Sequence, residues 1–256
     1  NDFMEAAPVK LFVRGENAFR EEPDWPLASA QVVPYYLHPG PANSVTSLND
    51  GALVMCPPTA NDGSTSYAYP DGQWVSGVVA RTHNGMDPVA RVLTFTTPTL
   101  DVDTEVTGCL VLDLYASSDQ PDTDFIVKLS DVSPLDADKR AVGEQPEFVT
   151  VTKGWLKASH RQKDDAHSTP SRPFHTHAHP QPLELDRVYR FEIEIHPASY
   201  LFKAGHRIRL ELANGDSTFT DGNFSHQYLW FKQGVDTIYH DADHPSRLLL
   251  PVVPRN

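Results

Sequence analysis

Alternation of apolar and polar residues is the feature that most limits what this chain can become. Tyr189, Phe191, Ile193 and Ile195 fall on one side of an extended backbone, and Arg190, Glu192, Glu194 and His196 on the other. A repeat of two residues is the signature of a half-buried strand, because successive side chains in a strand point to opposite faces. Ile208, Leu210 and Leu212, interleaved with Arg207, Arg209 and Glu211, repeat the pattern after the turn residues Lys203-Ala204-Gly205-His206. Leu110, Leu112 and Leu114 against Val111 and Asp113, then Phe125, Val127 and Leu129 against Lys128 and Ser130, give two more strands, separated by Asp119-Gln120-Pro121-Asp122. Further strands are expected over 9–14, 32–37, 91–97, 148–152 and 248–253. No stretch sustains the i, i+3, i+4 spacing of an amphipathic helix. Only 18–22 and 197–202 read as helical turns, and both are too short to cover a parallel sheet. The pattern predicts an all-β, antiparallel β-sandwich, most simply a jelly roll, with long loops and little helix, forming one domain over residues 1–256.

Two segments interrupt the rhythm, 40–85 and 159–182, both rich in Pro, Ser, Asn, Asp or His. Long connections without regular structure either carry function or are pinned against something else. The 21 Lys and Arg residues are scattered among 34 acids, for a net charge of −13. That balance argues against nucleic acid and against anionic membrane surfaces as partners. No run of 18 apolar residues is present, and the N-terminus lacks the pattern of a signal peptide. The absence of an initiator Met is read as the mark of a processed or excised segment. Cys56 and Cys109 match no zinc or redox spacing and are expected to be ordinary buried thiols. The sequence assigns no compartment, since cytoplasm and the extracellular space suit it equally.

Serine hydrolysis needs a nucleophile raised on a Gly-x-Ser-x-Gly turn between a strand and a helix. No serine has that setting. The nearest, Ser217 in Gly215-Asp216-Ser217-Thr218-Phe219, keeps only the first glycine and is read as part of a polar turn. No catalytic residue and no cofactor is therefore assigned. In the stretch 174–179, an extended backbone would place His175, His177 and His179 on one side, about 7 Å apart, a face that could hold zinc or nickel. No carboxylate lies beside them to orient the rings, so the stretch is read as a solvated or packing loop and no metal is assigned, the three imidazoles remaining the only candidates. The acid pairs Asp101 and Asp103, Asp122 and Asp124, and Asp241 and Asp243 are read as turn caps rather than calcium ligands. Trp25, Trp74 and Trp230, the last paired with Tyr228, lie in or beside Pro/Gly-rich stretches. Such rings serve as stacking platforms, fill interfaces, or fold over their own core.

Several blocks taken in order resemble one known domain. They are 8–15 with Phe19-Arg20 and 24–27, then 93–100, 105–108, 116–118, 122–125 and 128–132, then 154–161, 204–210 and 244–251. In these blocks the chain resembles the C-terminal domain of the X-Pro dipeptidyl-peptidase and CocE/NonD hydrolase family along nearly its whole length. The resemblance implies a jelly roll of galactose-binding-like type that follows an α/β-hydrolase domain carrying the Ser/Asp/His triad. It also implies that none of the family's catalytic residues has a counterpart here. The β domain packs on the hydrolase domain of the same parent chain, and its loops help wall the substrate pocket.

The reading that follows is a non-catalytic domain of a serine hydrolase acting on acyl-ester or X-Pro peptide bonds, inactive alone. Trp25, Trp74 and Trp230 are its candidates for the substrate pocket or domain interface, and a homodimer through the exposed interface is a further expectation. The alternative is a stand-alone carbohydrate- or ligand-binding module with Trp74 and Trp230 as platforms and an Asp pair holding calcium.

Overall fold

A computed structural model describes residues 7–216 and 231–255. The strand that organises the fold is the fifteen-residue Thr104–Ser118, the tenth in the chain and hence β10. On one edge it pairs with β13, Tyr189–Phe202. On the other it pairs with β16, Arg247–Val253, and at its end with β15, Gly234–Tyr239. Fifteen residues exceed the common strand length, and the strand persists by bending. Between Gly108 and Leu110 the register with β13 slips, a bulge that kinks the ribbon. Gly108 has φ +146, and a Cβ there would stand 2.9 Å from Pro251 Cβ, so only glycine lets β16 lie this close.

From β13 the ladder continues through β12 (Phe148–Lys157), β11 (Asp124–Val132), β14 (Arg207–Ala213), β9 (Leu93–Thr96), β4 (Gly51–Val54), β3 (Gln31–His38), β16 and β10, which returns to β13. Nine strands thus form one closed, barrel-like sheet rather than two separate sheets. All neighbours are antiparallel except β4 and β9, which meet over two residue pairs. The β12–β13 junction is a single pair, Gly154 with Ile195. A Cβ at Gly154 would lie 2.2 Å from the Glu194 carbonyl oxygen, so glycine lets the two backbones cross there. β15 and β5 (Ser64–Tyr69) extend the sheet from the end of β10.

The alternation places side chains as the sequence reading expects. Leu110, Leu112, Leu114, Phe125, Val127, Leu129, Phe191, Ile193, Ile195, Ile208, Leu210 and Leu212 all fill one interior. The outward faces of β11 and β14, however, are covered as well, and every residue of β11 is buried. Segment 40–85 provides β4, β5, β6 (Trp74–Ser76) and β7 (Val79–Thr82). With β8 (Gly85–Asp87), β6 and β7 make a small separate sheet, and the adjoining Val78, Val89 and Val92 pack on Ala213 of β14. Polar residues under this cover are paired: the Lys128 ammonium is 2.7 Å from Asp216, and Arg209 Nε donates to Glu211 at 2.9 Å.

Both helical expectations are overturned. Residues 18–22 form β2, Ala18–Glu22, in a hairpin with β1, Val9–Val13. Residues 197–202 complete β13 opposite Thr104–Gly108. In each case a partner strand supplies backbone bonds that an isolated helical turn lacks. Among the described residues the helices are α1, Ala137–Ala141, and a 3-10 turn at Ala158–His160. The thiols also differ from expectation: Cys56 is exposed and Cys109 partly so. Cys109 takes an outward position of β10, out of step with the inward Leu110, Leu112 and Leu114, opposite the point where β13 carries its extra residue.

Candidate functional site

Beside the Gly154 junction the outward residues of β12 and β13 become the floor of an open groove. Gly154 and Leu156 face the interior, which turns Trp155 outward, 46% exposed. On β13 the alternation that buries Ile195 turns His196 out beside it, and the two rings meet edge to face with centroids 5.1 Å apart. Trp25 and Pro26 close one end of the groove, and residues 169–177 form the facing wall, with Phe174 46% exposed. The cavity between them is about 1020 Å³. Cys109 lies in it, its thiol pushed up by burial.

The wall belongs to segment 159–182, which lacks strands of its own. Its base is pinned: Ser159 N and Oγ donate to Asp122 at 2.9 Å each, Gln181 N donates to Ser159 O at 2.7 Å, and the Arg161 guanidinium stacks over Tyr189 at 4.5 Å. The tip is held by ion pairs to β13, Lys163 with Glu192 and Arg172 with Glu194 at 3.5 Å, and by imidazoles. His177 Nδ1 stands 3.1 Å from His160 Nδ1. His175, whose ring centroid is 6.1 Å from that of His177, is half-buried, and its Nε2 is enclosed without a hydrogen-bond partner. Burial first, then the neighbouring His177 and Lys163, push its pKa down to about 4.

The three imidazoles singled out by spacing do not share one face. His177 has a left-handed backbone, φ +54, which breaks the extended alternation and turns its ring to His160. His179 is exposed beyond it. Among the described residues no three His, Cys, Asp or Glu side chains converge to hold a metal ion. Of the acid pairs, Asp241 caps its own turn, its Oδ1 accepting from Asp243 N and His244 N, whereas Asp103 accepts from Ala204 N and Lys203 Nζ of a remote turn, Asp122 accepts from Ser159, and Asp124 pairs with Lys157 and Lys232.

Of the three tryptophans, the structure places Trp25 in the groove. Trp74 is elsewhere, packed between the main core and the small cluster under β6–β8, with its indole N–H donating to Arg91 O at 3.0 Å. Trp230 and Ser217 lie outside the described residues. The hydroxyl–imidazole pair that the described residues hold is Thr65 with His240 Nε2 at 2.9 Å, but His240 Nδ1 has no partner. A triad needs a carboxylate at that nitrogen to orient the base. Trp155 and His196 were not singled out by the sequence reading as site residues. The signal was present, since each occupies an outward position of an alternating strand.

The family model described as the X-Pro dipeptidyl-peptidase C-terminal non-catalytic domain matches residues 1–249. Cocaine esterase of Rhodococcus sp. (strain MB1 Bresler) is 27% identical over 265 residues, an alignment that covers 96% of this chain and 42% of the esterase. A CocE/NonD family hydrolase of Staphylococcus aureus superimposes with a TM-score of 0.70 at 23% identity, over 99% of this chain and 43% of that one. An α-amino acid ester hydrolase does so at 0.66 and 22% identity, over 96% and 41%. The two structural likenesses speak to fold. The chain spans well under half the length of each of these relatives.

Proposed function

The chain belongs to the family of X-Pro dipeptidyl-peptidase C-terminal non-catalytic domains, and from that premise we propose that it packs against the α/β-hydrolase domain of a longer chain and helps shape that enzyme's substrate pocket. The observation that carries the reading is the coverage: 96% of this chain corresponds to only 42% of an esterase, so the esterase has a large remainder for such a domain to pack on. The parent is a serine hydrolase acting on acyl-ester or X-Pro peptide bonds, and residues 1–256 are its single C-terminal β domain.

In this reading the closed ring is a flattened jelly roll whose corners are the thin junctions at Gly154–Ile195 and β4–β9. The groove floored by Trp155 and closed by Trp25 is the surface offered to the hydrolase domain. Its exposed rings give the apolar area that an inter-domain contact of about 600–1,500 Å² needs. Left uncovered, the same surface supports a homodimer, which sedimentation velocity over a concentration series would reveal.

An activity assay tests the main reading. The purified chain is expected to give a flat trace with a para-nitrophenyl ester and with an X-Pro-anilide. The coding sequence upstream of Asn1 is expected to hold Gly-x-Ser-x-Gly followed by an Asp and a His. Turnover by the chain alone, abolished by a serine-directed phosphonate, would sink the reading.

A further inference from the structure

We propose that the tip of segment 159–182 is a pH-sensitive latch: His160, His175 and His177 hold it down while neutral, and acidification lifts it away from the Trp155–His196 floor. The inference rests on the contacts of this loop and stands whether or not the groove receives a hydrolase domain.

The geometry requires neutral rings at two places. Where His177 Nδ1 meets His160 Nδ1 at 3.1 Å, one nitrogen must carry the proton and the other must accept it. Protonation of both rings puts an N–H on each, so the bond becomes a contact between two cations. At His175 the ring is half-buried and its Nε2 is enclosed without a hydrogen-bond partner from the protein. A proton there makes an unsatisfied buried cation.

The charges facing these rings do not remove the requirement. Lys163 and His177 oppose protonation of His175, and Glu192 alone favours it. Glu192 is already engaged by Lys163 and lies 3.7 Å from Arg190, while Glu194 is engaged by Arg172. His196 on β13 is occupied with Trp155, and Lys157, also lining the groove, is paired with Asp122 at 3.0 Å. His167, at the exposed end of the tip, is paired with Asp164 at 2.7 Å and gains nothing from release.

The direction follows from proton counting. The docked tip binds fewer protons than the released one, so docking is complete above the ordinary histidine range, about pH 6.5. It weakens as pH falls from there towards about 4, the value to which His175 is pushed. The pinned base at Asp122, Ser159 and Gln181 contains no imidazole contact, so release is local, hinged at that base.

Hydrogen–deuterium exchange on the whole chain tests the latch through three tip amides, Ser168 bonded to Asp164 O, Arg172 to Thr169 O and Thr176 to Gln162 O. After correction for intrinsic rates, their protection is expected to fall about tenfold or more between about pH 7.5 and about pH 5, with β10 and β13 unchanged. In His160→Gln/His175→Phe the fall should shrink to less than about twofold. If that pair disturbs the loop at neutral pH, His160→Gln/His177→Gln leaves the His175 ring in place, removes the imidazole–imidazole contact and the His177 charge beside His175, and should still reduce the fall. Equal protection at both pH values, an undiminished fall in the variants, or a fall that spreads through β10 and β13 would each overturn the proposal.

Discussion

The ring and the groove wall sit side by side on β13, yet they are held by different forces. The ring buries interlocking apolar side chains, with Phe125, Leu112, Ile193 and Ile195 each at 0% exposure. It also neutralises its buried acids with fixed partners. Glu105, fully buried, accepts from Arg20 at 2.8 Å and from Arg255 at 3.0 Å, tying the β1–β2 hairpin and the C-terminus to β10. Segment 159–182 contributes almost nothing apolar to the interior and relies on turns, exposed ion pairs and imidazoles. Local stability follows buried apolar contact, so the ring is the rigid body and the wall the part free to respond. A pocket built on such a junction keeps its floor fixed while its wall moves.

The contrast breaks if the core can be emptied without cost. Phe125 packs on Phe191 with ring centroids 4.9 Å apart. Phe125→Ala is expected to lower unfolding free energy by about 3–5 kcal/mol, read from urea denaturation. A loss under about 1 kcal/mol would show that the ring is not the stabilising body.

Buried charge is the next largest effect. Asp113, 2% exposed, accepts from Arg190 at 2.6 and 3.0 Å and from Arg247 at 3.2 Å, joining β10 to both its neighbours. Burial opposes the charge on Arg247, but its hydrogen bonds and Asp113 raise its pKa overall; Arg190 is raised with Asp113 as the main cause. Asp113→Ala leaves both guanidiniums without their acceptor and is expected to cost about 2–3 kcal/mol, less than a fully buried pair because water reaches the arginines. Gly154→Ala comes third. Its new Cβ would meet the Glu194 carbonyl oxygen at 2.2 Å, so backbone must shift at the thinnest junction of the ring. A loss of about 1–3 kcal/mol in the same denaturation experiment is expected, with earlier exchange at Ile195 than elsewhere in β13.

Much of this was legible in the sequence because alternation is a local signal. The inward sets on β10, β11, β13 and β14 could be read directly, and so could Asp241 as a turn cap. What escaped depends on partners remote in sequence. Segments 18–22 and 197–202 are strands because β1 and β10 lie beside them. Outward Ile126 and Lys128 of β11 lie beside Val78, Pro88 and Val92 from the segment around β6–β8, and no periodicity within residues 124–132 announces that cover. For the site, Trp25 was legible as an aromatic beside a proline, whereas Trp155 was hidden in plain alternation. His175 and His177 drew notice for their spacing, but the left-handed turn at His177 and its meeting with His160 need coordinates.

The smallest effect is expected at Trp155, and it separates scaffold from surface. The indole is 46% exposed and touches His196 only by an edge. Truncation removes little area that folding had taken from water, so Trp155→Ala in this chain should change unfolding free energy by less than about 1 kcal/mol. The residue that follows in sequence, Leu156, is 2% exposed and belongs to the interior. Leu156→Ala should therefore cost about 2–5 kcal/mol in the same denaturation curve, two adjacent positions differing by which face of β12 they occupy. If Trp155→Ala proved as damaging as Leu156→Ala, the groove floor would be part of the core, and the separation between a fixed ring and a responsive surface would fail at the point where the two meet.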